Sequence, residues 1–414
     1  MNEYIREVMG NIWTSPDIYK HLYHLCDGIG PRPAGSETAR EASGYIRKEF
    51  EKYGLTVSRH SFSHQGWQID ESELLIENKC FPSNVFTFSG NGELSGDIYI
   101  LQSPSEKTFE HARFDGMILV VQPSKQVHGG MGRKAMVKAA IEGGALAYVE
   151  ITGDPGGIIA TGSISDEGTV KIPALSVSYE TGALLARKKK YSSGEMVLKV
   201  KGHEISLESE NVIGDLQADS EAVIISGAHY DTYAIGPGAF DNGTGVATIL
   251  GIAEAVTKSN LKKELPVSLK FIAFTSEELG LLGSEAYVKD FIDSGKVANT
   301  RLMMNYDCTA ITGGVRGAFT SNDMKLNQHI VNLVRDHGFD VRMSLRPPHQ
   351  TDGFPFFKRK IPTFGLAQFK SPSYMHTAYD TPEKVSEDSL KNSTAIAGAI
   401  LANLMSKDQR KNTS

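Results

Sequence analysis

The chain has 414 residues, 40% hydrophobic and 22% charged, which is enough for two apolar cores rather than one. A formal net charge of -6 and a pI near 6.1 give no field that would draw nucleic acid or an anionic membrane surface, and no apolar run approaches the roughly 18 residues of a membrane span. The opening residues lack a basic stretch followed by an apolar core, and Cys26, Cys80 and Cys308 are few, odd in number and far apart; the chain therefore reads as cytoplasmic and without a disulfide framework.

In chain order, the pattern predicts a helix around Ser15 to Cys26, a break at GIGPRPAGS, and a second helix from Glu37 to Tyr53. Ala42, Tyr45, Ile46 and Phe50 give that second helix one buried face, and Gly54 stops it before the strand LTVSRHSF. From about Asn78 to Lys201 the texture changes to short β-rich runs such as GDIYIL and GMILVV, broken by Gly, Ser and Pro turns. Inside this stretch RKAMVKAAIEGGALAYVEI reads as helix then strand, and IPALSVSYETGALLARKK as strand then helix. No disordered linker marks either edge, so the segment reads as an insertion, residues 76–205, into a discontinuous domain formed by 1–75 and 206–414.

After Ser206 the pattern becomes α/β. The runs AVIISGAHYDT, SLKFIAFTSEE and RLMMNYDC are apolar strands, and GVATILGIAEAVTK is a helix. Continuous apolar strands alternating with helices predict a mostly parallel mixed sheet covered on both faces. Ligands in such sheets bind beyond the carboxyl ends of the strands, where His229, Asp231, Glu277, Glu278 and Asp307 all fall.

Each of these residues has an ordinary explanation when taken alone. His229 and Asp231 form a His-x-Asp pair that suits a solvated strand end; as a metal site, the imidazole would bind through one nitrogen while Asp231 oriented it through the other. Asp241, in GPGAFDNGTG, suits an N-cap or Asx turn, although the glycines also permit close approach of a ligand. A phosphate cradle fits this loop less well, because no lysine stands at the P-loop position. Glu277 and Glu278 suit a first helical turn leading into ELGLLGSEAYV, or a division of labour between metal binding and proton transfer. Asp307 suits a strand cap, and His376, ahead of a turn and a terminal helix, suits a surface loop. Asp352 and Asp380 read as turn or cap acids, or as supports for the site.

The set decides what the single residues leave open. Two like charges about 4 Å apart repel by roughly 4 kcal/mol at an effective dielectric of about 20, so ionised Asp241, Glu278 and Asp307 packed together are costly unless cations join them. Mixed imidazole and carboxylate donors suit zinc, with cobalt or manganese able to occupy similar sites.

In this order the motifs resemble those of the M28 family of co-catalytic zinc peptidases, with its His-x-Asp, Asp, Glu-Glu, Asp, His series. The resemblance extends to CDGIGPRPAGSETAREASGYIRKEFEKYGLTV, to TDGFPFFKRKIPTFGL and to HTAYDTPEKV. It implies a zinc-peptidase/phosphorylase-like α/β fold and two Zn2+ ions. His229, Asp241 and Asp307 are expected on one ion, Asp241, Glu278 and His376 on the other, and Glu277 as the general base. It implies an aminopeptidase acting on peptides with a free N-terminus, and makes the insert similar to a protease-associated (PA) domain. Two positions depart from the family: Met375 stands where relatives often have Tyr, leaving Tyr374 as a substitute, and Lys360 stands where many have Gly. Three rivals remain: a carboxypeptidase using Arg316, Arg342 or Arg346, a single-zinc enzyme similar to glutaminyl cyclase, and a non-catalytic receptor or scaffold. Side-chain preference, native metal and homo-oligomeric state are left open by the sequence.

Overall fold

The computed structural model describes residues 3–102, 104–110, 112–122, 131–191, 196–295, 299–321, 323–344 and 349–405. The chain divides into two compact units: Met1–His64, Glu208–Pro372 and Asp380–Ser414 make the first, and Gln65–Leu207 with Ser373–Tyr379 the second. The two crossings near His64 and Leu207 fall inside the strands Thr56–Ile76 and Met196–Leu216.

The first unit is built on β1 (Val223–His229), β2 (Ser268–Phe274), β3 (Thr300–Tyr306), β4 (Arg316–Thr320), β5 (Val341–Ser344) and β6 (Thr363–Gln368). Their order across the sheet is β5-β4-β6-β3-β1-β2, and β2 pairs on its far side with Val212–Leu216. The neighbours β6, β3, β1 and β2 run parallel; β4 opposes β6, and the Val212–Leu216 segment opposes β2. Every residue of β1 is buried, which is why its sequence lacks the alternation of a strand with one wet face. From β1 the chain passes to β2 on one side and then to β3 on the other. That reversal makes the carboxyl end of β1 the switch point of the sheet, the place where ligands bind in open α/β folds.

The main helices of this unit are α1 (Glu3–Thr14), α2 (Glu37–Lys52), α3 (Thr244–Lys258), α4 (Met324–Asp336) and α5 (Glu387–Leu404). Helix α2 starts where Ser36 accepts a hydrogen bond from the Ala39 N–H at 3.0 Å, buries Ala42, Ile46 and Phe50, and ends before Gly54 at φ 76. Tyr45 is only half-buried, and its hydroxyl lies 2.6 Å from Nδ1 of His21. Helix α1 precedes the first helix expected from the pattern; Ile5, Val8 and Ile12 carry its buried stripe, and Pro16 separates it from Ile18–Tyr23. Helix α3 is buried from Thr244 to Val256 because the sheet covers one side and α1 and α5 the other. At Gly398 an added Cβ would meet Ile12 Cδ1 at 2.7 Å, so the bare backbone lets α5 seat against α1.

The second unit contains a parallel run of Gly92–Gln102, Met117–Gln122, Ala147–Ile151 and Ala174–Val177, extended by the antiparallel Ser83–Val85. Helices Arg133–Glu142 and Tyr179–Tyr191 accompany it. Alternate residues of one strand enter different apolar clusters: Ile118 and Val120 join Leu175 and Leu198, while Leu119 and Val121 join Phe114 and Met136.

Candidate metal centre

Strand β1 delivers His229, 1% exposed, to the switch point. Its Nε2 lies 3.2 Å from Asp241 Oδ1, 3.5 Å from Asp307 Oδ1 and 3.9 Å from Glu277 Oε2. Its Nδ1 lies 3.2 Å from the Asp231 carbonyl and 3.6 Å from Asp231 Oδ1. With Nδ1–H donating to that carbonyl, the lone pair of Nε2 faces carboxylates, an arrangement that demands either a proton or a cation between them.

Asp231 does a second thing that the His-x-Asp pattern did not reveal. Its buried carboxylate accepts the backbone N–H groups of Glu277 at 3.1 Å and Glu278 at 3.3 Å. The turn after β2 is thereby tied to the turn after β1. Glu277 and Glu278 precede rather than occupy a helix, since the helix here begins only at Leu282, so the helical first-turn explanation for the two acids fails.

Asp241 likewise is no helix cap: α3 begins at Thr244 after Gly243, and no side-chain cap bond is made. The Asp241–Asn242 peptide is cis. Asn242 fastens this loop to both neighbours of Asp307, donating Nδ2–H to the Tyr306 carbonyl at 2.9 Å and accepting the Cys308 N–H at 3.1 Å. Its Oδ1 also accepts the Gly245 N–H at 2.9 Å; a Cβ at Gly245 would meet that oxygen and the Tyr306 carbonyl at 2.3 Å. Only glycine permits so close an approach at the start of α3.

The electrostatics follow from the crowding of buried and half-buried acids around His229. Burial first, then Asp241 and Glu277, push Glu278 well above the ordinary carboxylate range. Burial, Asp307, Asp352 and Asp241 do the same to Glu277 against the pull of His229. For His229, burial acts downward, but Glu277, Asp231, Asp241 and Asp307 outweigh it and hold the imidazole well above its ordinary value. Asp352 is 1% exposed and precedes the helix Gly353–Lys358 without capping it, and neither of its oxygens has a hydrogen-bond partner among the described residues. Burial raises it to about 7.

These atoms fit a cation. His229 Nε2 and Asp307 Oδ1 are buried and lack a hydrogen-bond partner among the described residues, and ligand atoms of His229, Asp241 and Asp307 lie within 4.8 Å of one another. One nitrogen and two oxygens form a donor set suited to a borderline divalent ion. His376 lies on the Ser373–Tyr379 segment of the second unit, half-buried at φ 59, where its carbonyl accepts the Thr161 N–H at 2.8 Å. Arg316 is buried and donates Nε–H to Ser393 Oγ at 3.0 Å, Arg342 lies over the Phe369 ring, and Arg346 falls outside the described residues.

An open α/β sheet with acids and an imidazole converging at its switch point suits a hydrolytic metalloenzyme. Residues 211–401 match the model of Peptidase family M28. The chain is 24% identical over 414 residues to the aminopeptidase YwaD of Bacillus subtilis, covering 95% of this chain and 86% of that one. It is 23% identical to the probable leucine aminopeptidase 2 of Aspergillus oryzae, covering 92% and 82%. Among solved structures, the M28 peptidase precursor of Shewanella amazonensis superposes with a TM-score of 0.85 at 21% identity, covering 97% of this chain and 96% of that one. BSAP, a zinc aminopeptidase from Bacillus subtilis, does so at 0.76 and 22%, covering 95% of each. The expected α/β architecture is the observed one.

Proposed function

We propose that this chain is a metal-dependent aminopeptidase that removes N-terminal residues from peptides with a co-catalytic pair of zinc ions. The observation that carries the reading is the buried Nε2 of His229, facing Asp241, Asp307 and Glu277 at the carboxyl end of β1. His229, Asp241 and Asp307 take one ion. On the M28 resemblance, Asp241, Glu278 and His376 would hold the second. Bound zinc supplies Lewis acidity and brings the pKa of water from about 16 toward 7.

Glu277 is the general base, taking a proton from the attacking water and returning it to the leaving amine. Its backbone is fixed by the bond from its N–H to Asp231, and burial raises its carboxyl well above the ordinary carboxylate range. The backbone of Glu278 is held twice, its N–H by Asp231 and its carbonyl by the Tyr233 hydroxyl at 2.9 Å. The second unit we assign as a PA-like insert. The names of the relatives favour amino- over carboxypeptidase action, as does the engagement of Arg316 with Ser393.

Metal analysis of purified chain, combined with hydrolysis of a library of N-terminally free and blocked peptides, tests the reading. Two zinc ions per chain, cleavage of free peptides alone and loss of activity on chelation are expected. One ion per chain, or cleavage of blocked peptides from the carboxyl end, overturns it.

A further inference from the structure

Arg32 stands in the Gly-Pro-Arg-Pro stretch, a motif that the hydrolytic chemistry leaves unused. Its side chain is wholly buried, and its guanidinium lies within hydrogen-bond distance of five backbone carbonyls, three of them sharing the two N–H groups of Nη1. Two of the acceptors, Leu25 and Gly30, are local, at 2.9 and 2.8 Å. The other three belong to the loop leading from β1 to Asp241: Nε–H donates to Tyr230 at 2.8 Å, Nη1–H to Pro237 at 2.8 Å and Nη2–H to Gly238 at 3.3 Å. The backbone is stitched to the same loop, with the Arg32 N–H donating to Thr232 Oγ1 at 2.8 Å and the Thr232 N–H to the Arg32 carbonyl at 3.1 Å.

A buried anion holds the other end of this loop. The Asp380 carboxylate accepts the Phe240 N–H at 2.7 Å and the Asp241 N–H at 3.0 Å, and its carbonyl accepts the Ala239 N–H at 3.1 Å. The polarity is complementary: a cation gathers the carbonyls that precede the turn and an anion gathers the amides that close it. Between them Gly238 sits at φ 60, where a Cβ would meet Thr232 Cγ2 at 2.3 Å and the Asp241 carbonyl at 2.5 Å. Lysine offers three donors from one point, whereas a guanidinium presents five from three nitrogens in a fixed plane, which here reach Tyr230, Pro237 and Gly238 separately.

We propose that Arg32 and Asp380 are positioning residues that fix the 237–241 turn, and so set where the Asp241 carboxylate stands against His229 and Asp307. The inference rests on Asp241 being a metal ligand. It also separates two roles: a pair that merely fastened the fold would lower stability but leave the metal affinity of folded protein unchanged, whereas a pair that positions Asp241 sets that affinity directly.

The test uses the full chain stripped of metal, with folding verified by circular dichroism. Zinc affinity is read by competition with a chelator, and exchange of the Phe240 and Asp241 amides by hydrogen exchange. Arg32→Met and Asp380→Asn are expected to weaken zinc binding by roughly 10–100-fold, the range typical of groups that orient metal ligands. Arg32→Lys should fall between wild type and Arg32→Met, and should speed exchange at the Phe240 and Asp241 amides about tenfold although it touches neither. If Arg32→Met fails to fold, Asp380→Asn and Arg32→Lys carry the test. Zinc affinity within about twofold of wild type in the folded variants overturns the proposal, even if the melting temperature drops. If wild-type protein takes up no zinc, the aminopeptidase reading falls on its own; exchange in Arg32→Lys then decides the clamp, and unchanged exchange removes it.

Discussion

Two histidines of the first unit are equally hidden, His21 at 2% and His229 at 1% exposed, yet their surroundings give them opposite chemistry. His21 has both ring nitrogens answered by phenols, Nδ1 by Tyr45 at 2.6 Å and Nε2 by Tyr53 at 3.0 Å; burial drives its pKa down to about 4. His229 turns Nε2 toward three carboxylates, which hold its pKa up despite the same burial. Burial therefore does not by itself mark a histidine as a candidate ligand. What marks it is a nitrogen left facing charge that only a proton or a cation can answer.

The sharpest way to break this comparison is to remove each ring in turn. His229→Asn is expected to lose zinc at its site and with it measurable peptidase activity, whereas His21→Asn should retain full zinc content and a normal kcat in whatever fraction stays folded. Metal analysis and single-substrate kinetics on both variants decide it. Equal zinc loss in the two would show that the distinction between them is one of fold integrity alone.

Next in size is Glu277→Gln, which keeps the shape of the side chain and its backbone bond to Asp231 but removes the proton acceptor. A general base contributes roughly 10²–10⁴-fold, so kcat should fall by that factor with zinc content and KM little changed. A kcat within about fivefold of wild type would move the base to another residue, with buried Asp352 the first alternative.

The parts of this centre that were legible in the sequence are those marked by an apolar run. His229 ends a largely apolar strand, and the Glu277–Glu278 pair and Asp307 follow two others, so the rule that ligands gather beyond strand carboxyl ends singles them out. The supports of the site carry no such mark. Asn242 reaches Tyr306 across 64 residues, Asp380 reaches Phe240 across 140, and Arg32 reaches Tyr230 across 198; all three bond to backbone atoms, which have no sequence signature. Asp231 shows the same limit, because its bonds to the amides of Glu277 and Glu278 depend on β1 and β2 being neighbours. Helix α1 was missed for a different reason: its stripe of Ile5, Val8 and Ile12 is short, and Gly10 and the approaching Pro16 weaken it.

The smallest effect is thermodynamic and concerns His21 alone. Its pKa is near 6.5 in the unfolded chain and about 4 when folded, so the unfolded state takes up a proton in a range where the native ring stays neutral. The contribution of neutral His21 is therefore fully present above pH 6.5, shrinks as the pH falls, and levels off below about 4. A shift of this size corresponds to about 3 kcal/mol across the window, at 1.36 kcal/mol per pH unit. His21→Gln keeps a donor and an acceptor for Tyr45 and Tyr53 but cannot titrate, so its stability should decline less steeply between pH 6.5 and pH 4. Metal must be absent from both proteins, since acid would otherwise release zinc and add a dependence belonging to His229. Urea midpoints of the two chelated proteins, measured at half-unit steps, would converge toward low pH if His21 is a satisfied neutral ring. Parallel curves would mean that its environment does not depress its pKa, and the contrast with His229 would lose its physical basis.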